Sequence, residues 1–235
     1  MSIRVGKYNY KTKKEAVTEE YSNVLIHTTG DLSPYTMKDK NGYIMENYWQ
    51  FSKIWDKVYS LRQGLSKWHP HIIRWEHGEE QHMDLSDSEN PVILPEYWQW
   101  REKGFNNSRW VRYPVGYARH ALAKGSVIGD ADNFRIVDYI EARKKIYFPK
   151  YKEIALDTFE FKNLKKRFES GEKLQIVEVD GPTFDADVYP YNLVEDGSLG
   201  MNREILEALI NNPKQAFGHG YCVAALLLDI DLENC

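Results

Sequence analysis

Glu46, Gln50 and Lys53 are spaced four and seven residues apart, so on a helix all three project from one side. A carboxylate and an ammonium held in that way favour each other's charged forms and can do general acid–base work. Tyr48 and Trp49 lie between them, and aromatic rings with polar tips suit a pocket for a flat ligand such as a nucleobase. Glu46, Gln50, Lys53 and Lys57 are equally what a solvated amphipathic face presents, and the sequence alone keeps both readings.

Other residues invite the same two-sided reading. Gly218-His219-Gly220 opens an apolar stretch; amides at a helix start bind anions, glycines permit close approach, and His219 is a proton donor or ligand contact, although a capping turn explains the glycines too. Asp180 ends a strand just before Gly181-Pro182, either as a functional carboxylate or as a turn former. Arg143, Lys144 and Lys145 could anchor phosphate, and Arg112 could do so with two parallel bonds, but charge runs are usually solvated. His69-x-His71, Glu76-His77 and His82-x-Asp84 match no familiar zinc spacing, so neither metal nor cofactor is expected.

The elements that must position these groups follow from periodicity. A helix is expected from Glu46 to Leu61, with Ile44, Tyr48, Phe51, Trp55 and Val58 on one side and Gly64 as its stop. Pro95 to Lys103 reads as a helix ended by Gly104, Asn133 to about Leu156 as one broken at Pro149, and Thr158 to Glu169 as another. Asn202 caps a further helix, and a last one begins near His219. Tyr21 to His27, Ile72 to Trp75 and Val111 to Val115 read as extended, and Lys173 to Val179 is the best strand. Few strands that do not alternate with helices predict an α+β fold: a small sheet surrounded by helices. The chain is expected to form a single compact domain over 1–235, with a polar insertion around 66–110.

Composition narrows the class. The net charge of −4 gives no footprint for duplex nucleic acid, so a nucleic-acid partner would be met through a flipped base. No apolar run approaches the roughly 20 residues of a membrane span. The basic, polar start lacks a signal peptide's apolar core, and two cysteines make no disulfide framework, so a reducing, cytoplasmic setting is expected. P-loop, dinucleotide-binding, nucleophile-elbow and zinc-deaminase patterns are absent.

Several segments together resemble the NADAR (YbiA/RibX-like) superfamily of N-glycosidases. Leu32-Ser33-Pro34-Tyr35 followed by Met45-Glu46-Asn47-Tyr48-Trp49-Gln50-Phe51-Ser52-Lys53 keeps in step the Ser, Glu, Tyr, Gln and Lys of the family's two leading motifs. Ala142-Arg143-Lys144-Lys145, Ala155-Leu156-Asp157-Thr158, Ile176-Val177-Glu178 and Gly218-His219-Gly220 resemble later segments in the right order. The family's WG.G motif has no counterpart, and Trp68 to Trp110 is additional. The resemblance covers about half the chain. It implies cleavage of a ribose–nitrogen bond in a phosphorylated ribosyl or ADP-ribosyl substrate. Glu46, Lys53, Asp180 and His219 are then the expected catalytic residues. Ser33, Tyr48, Trp49, Gln50, Arg112, Arg143, Lys144, Gly218 and Gly220 are the expected substrate contacts. The alternatives are a protein that sequesters a nucleotide without turning it over, and a ribosyl-transferring or nucleobase-modifying enzyme.

Overall fold

A computed structural model describes residues 2–8, 20–26, 29–59, 75–87, 91–115, 123–183 and 197–235. Its strands are β1 (Ile3–Lys7), β2 (Ser22–Leu25), β3 (Lys53–Ile54), β4 (Lys57–Val58), β5 (Glu80–Gln81), β6 (Met83–Asp84), β7 (Val92–Ile93), β8 (Gly125–Gly129), β9 (Phe134–Val137), β10 (Leu174–Glu178) and β11 (Ser198–Gly200). Its α-helices are α1 (Met45–Phe51), α2 (Pro95–Phe105), α3 (Tyr139–Ala142), α4 (Phe148–Ala155), α5 (Phe159–Glu169), α6 (Arg203–Ile210) and α7 (His219–Leu227), with a π-helical turn at Arg143–Tyr147. Helices and small mixed sheets make the protein α+β, as expected. Two compact units emerge: Met1–Met37 with Arg143–Cys235, and Lys38–Ala142.

The first unit is built on a four-stranded sheet in the order β11-β1-β10-β2. β10 runs parallel to both β1 and β2, with Val5 opposite Ile176 and Ile176 opposite Val24, while β11 is antiparallel to β1. All five residues of β10 are buried, Gln175 and Glu178 included, so the alternating sequence does not mark a wet face. α7 packs on β1 and β10 and touches α4, α5 and α6; it is buried almost all round, from Gly220 to Leu227. Thr158 caps α5 by accepting from the Phe161 amide, and Asn202 caps α6 by accepting from Ile205. Pro149 does not break the helix expected around it. It occupies the first turn of α4, where a missing N–H is tolerated, directly after the π turn.

The second unit holds the aromatic core. Phe51, Trp55, Tyr97 and Trp100 are buried with Ile54, Val58, Met83, Ile93, Val111, Val115 and Val127. Much of this core comes from the stretch expected as a polar insertion; its residues 66–74 and 88–90, and with them all but Trp75 of the strand expected from Ile72 to Trp75, lie outside the described residues. Gly104 is not a helix stop. It lies inside α2, where a Cβ would stand 2.0 Å from Cδ1 of Phe51, so its missing side chain is what lets α1 and α2 approach. Asn133 begins no helix either: Asp130–Asn133 is the turn of the β8–β9 hairpin, with the Asn133 amide donating to Asp130 Oδ1 at 3.0 Å.

Candidate functional site

α1 ends at Phe51, one residue after Gln50, rather than running to Leu61. Ser52 Oγ donates to the Tyr48 carbonyl at 2.7 Å, and the Val127 amide takes the Ser52 carbonyl at 2.7 Å. Lys53 and Ile54 then pair with Ser126 and Gly125 as a strand. Long-range pairing thus overrides the helical spacing of Phe51, Trp55 and Val58.

The acidic end of α1 is not a solvated face. Glu46 is 6% exposed and Gln50 9%, and the two are joined by a bond from Gln50 Nε2 to Glu46 Oε1 at 2.9 Å. Lys53 Nζ donates to Gln50 Oε1 at 2.7 Å and sits 5.1 Å from the centre of the Trp49 ring. Glu46, Gln50 and Lys53 therefore form a continuous chain of carboxylate, amide and ammonium, with the amide orientation set by both charged ends. Glu46 lies in the first turn of α1, where helix dipoles favour a negative charge.

Lys53 as a residue is half-buried, yet its ammonium is largely cut off from water. That desolvation, helped by repulsion from Arg112 and opposed by attraction to Glu46, brings its pKa down to about 8. An amine so adjusted can hold or release a proton near neutral pH. Tyr48 and Trp49 flank the chain, Trp49 with its ring beneath the Lys53 ammonium. Tyr48 stacks on Phe105 at 5.0 Å, and Trp49 meets Tyr139 at 6.2 Å.

Sequence reasoning missed Asn47, which is fully buried beside Glu46. Its Nδ2 donates to the carbonyls of Asn107 and Arg109, at 3.1 and 3.0 Å, and its Oδ1 accepts from the Val111 amide at 2.7 Å. One amide thereby fixes the strand of backbone that delivers Arg112, close enough to repel the Lys53 ammonium. A lone Asn inside an amphipathic pattern is the only signal the sequence offers for it.

In the first unit, His219 and its two glycines close on a residue that sequence reasoning quoted but assigned no role. Glu178, at the end of β10, is fully buried, and its Oε2 lies 3.2 Å from His219 Nδ1. A Cβ on Gly218 would be 2.5 Å from Glu178 Oε2, and one on Gly220 would be 2.8 Å from Oε1. The glycines thus admit the chain's own carboxyl group to the N-terminus of α7, in the place where a bound anion was one expectation. Burial and the nearby Asp180 hold the Glu178 carboxyl well above the usual range, against the pull of the Gly220 and Tyr221 amides and of Lys7.

The remaining expected residues have structural surroundings. Arg143 is 1% exposed, and its guanidinium donates to the main-chain carbonyls of Ile210, Asn212 and Gln215. Lys144 donates to the Cys235 carbonyl, and Lys145 to Asn234 Oδ1 at 2.9 Å. This basic run fastens the C-terminal segment of the chain. Ser33 is fully buried, and its Oγ accepts from the Tyr35 amide at 3.3 Å in a tight turn. Asp180 follows β10 in a turn closed by a Gly181 amide bond to the Glu178 carbonyl at 3.3 Å, and its own carbonyl accepts from Gln215. Gly181 is held there because a Cβ would meet the Gly6 carbonyl at 2.3 Å.

No group of three potential metal ligands occurs among the described residues. His69 and His71 lie outside them, His77 bonds the carbonyls of Gly78 and Pro114, and His82 is buried against Tyr97 and Trp100. Among the described residues no helix is long and apolar enough to cross a membrane. No family model matches the chain, and no match was found among curated proteins or solved structures.

Proposed function

We propose that the protein is an N-glycosidase-like hydrolase that cleaves a ribose–nitrogen bond in a phosphorylated ribosyl or ADP-ribosyl substrate, with the Glu46–Gln50–Lys53 chain at its centre. The observation that carries this reading is the buried hydrogen-bonded line from the Glu46 carboxylate through Gln50 to an amine of pKa about 8. A solvated face would leave these groups wet and separately mobile. The resemblance of Ser33–Lys53 to the NADAR superfamily supplies the substrate class, and the distant membership it suggests is part of the proposal.

The roles follow from charge. As the glycosidic bond breaks, its electron pair stays with the departing nitrogen and positive charge grows on the sugar. Glu46 faces that charge and takes a proton from the water that adds to the anomeric carbon. Protonated Lys53 gives its proton to the leaving base, and Gln50 keeps donor and carboxylate in register. Trp49 and Tyr48 stack the base, and Arg112 receives the phosphate.

The test is incubation of the purified chain with nucleoside phosphates, with ADP-ribose and with DNA bearing ADP-ribosylated guanine, followed by chromatography for released base. Release of free base supports the hydrolase. Tight binding with no release would replace it by a nucleotide-sequestering protein, and ribosyl transfer to an added acceptor by a transferase.

A further inference from the structure

The first unit contains a second arrangement that the Glu46 chain does not use. Glu178 is fully buried at the C-terminal end of the central strand β10, and neither of its carboxyl oxygens makes a hydrogen bond of good geometry. His219 Nδ1 lies 3.2 Å from its Oε2. The Gly220 and Tyr221 amides, at the start of the nine-residue α7, point towards it and favour its charged form. The side chain of His219 is 14% exposed, so the imidazole joins the buried carboxyl to the surface of this unit.

We propose that Glu178 and His219 form a proton-donating pair, a general acid whose outer atom is His219 Nε2 and whose substrate group is the oxygen or nitrogen leaving group of a neutral substrate portion. A buried carboxyl without well-formed hydrogen bonds is costly to leave charged, so the pair rests in its net-neutral form, with one proton on the Glu178 carboxyl and one on Nε2. Donation breaks the Nε2–H bond and delivers that proton to the leaving group. The carboxyl proton then passes from Oε2 to Nδ1, 3.2 Å away, and the negative charge remains on Glu178. α7 is arranged for that outcome, because its first amides and its dipole stabilise the carboxylate left behind. The negative charge that donation leaves on Glu178 would repel phosphate, which fixes the ligand portion met here as neutral. The glycines on both sides of His219 follow as well, since any side chain there would displace the carboxyl.

Among the described residues, the charged and titratable groups around the pair include Lys7 on β1, Asp180 after β10, Tyr151 on α4 and Cys222 on α7. Asp180 strengthens the pair's hold on its proton and Lys7 weakens it. Tyr151 and Cys222, both buried, are held in their neutral forms by burial and by the Glu178 charge.

The test follows ring nitrogens of isotope-labelled histidine and the side-chain carboxyl carbon of labelled glutamate, by NMR on the full chain, across the pH range. The pair predicts one shared transition, in which the His219 ring and the Glu178 carboxyl carbon respond with the same midpoint. In Glu178→Gln the His219 transition moves towards acid by about one pH unit or more, a tenfold loss of proton affinity. Midpoints in the wild-type chain that differ by more than one pH unit would overturn the pair, and this arm needs no variant to fold. An unmoved His219 midpoint in a folded Glu178→Gln chain would overturn it as well.

Discussion

Replacing Lys53 by methionine isolates the electrostatic cost of the ammonium at the end of the Glu46 chain. In the folded protein its pKa is about 8, against 10.5 in an unfolded chain. Between these values the unfolded state holds a proton that the folded state has released. Stability therefore rises with pH in this window, and below pH 8 the full cost of holding the desolvated ammonium is present. Integrated from pH 7 to pH 10, the gain is roughly 2–3 kcal/mol. Methionine has no proton to lose, so urea unfolding of the two chains at several pH values, subtracted one from the other, leaves this contribution alone. The wild-type minus variant difference should climb across that range. A flat or falling difference would refute the argument that the ammonium is desolvated, and with it the view of Lys53 as an adjustable proton carrier.

Gly104→Ala should destabilise by about 3 kcal/mol, because the new methyl group collides with a fully buried Phe51 ring, and Phe51→Leu in the same chain should recover part of the loss; urea midpoints decide it. Asn47→Ala should cost about 2–4 kcal/mol by leaving the buried Val111 amide unpaired, and it should also shift the pH at which Lys53 titrates, read from the NMR signal of its terminal methylene carbon. His82 is buried beside Tyr97 and Trp100, and burial lowers its pKa below 6.5 despite the Glu80 carboxylate. The folded state then binds fewer protons than the unfolded state as pH falls below about 6.5, so stability is lost on acidification; thermal melts of His82→Phe should show a shallower acid-side decline than wild type.

Much of the secondary structure is legible where its cause is local. Thr158 and Asn202 announce α5 and α6 through a cap and the periodic residues behind it, and the β-branched run at Lys173–Val179 announces β10. The errors arise where a distant partner decides. Phe51, Trp55 and Val58 have helical spacing, but pairing of Lys53 and Ile54 with Gly125 and Ser126 turns the chain into a strand. Gly104 resembles a helix stop until the Phe51 ring is placed against it.

The site is legible in the same uneven way. Glu46, Gln50 and Lys53 can be picked out by spacing, but not whether their face is wet or dry, because burial depends on residues elsewhere in the fold. Arg143 and Lys144 read as a solvated charge run or phosphate anchor. They instead meet carbonyls tens of residues further along the chain, which no local pattern can indicate. Glu178 ends an ordinary-looking strand, and only the glycines on either side of a distant His219 hint that something must approach them closely.

Base release by Glu46→Gln, measured beside wild type on the same ribosyl phosphate substrates and with the urea midpoint of each chain, bears most directly on the central reading. Glutamine preserves the shape and the bond to Gln50 but removes the negative charge that faces the sugar. The account predicts that release falls by at least about a hundredfold while the midpoint stays within the scatter of a conservative change. Full activity in the variant would take Glu46 out of the chemistry and leave the buried chain as a structural feature alone.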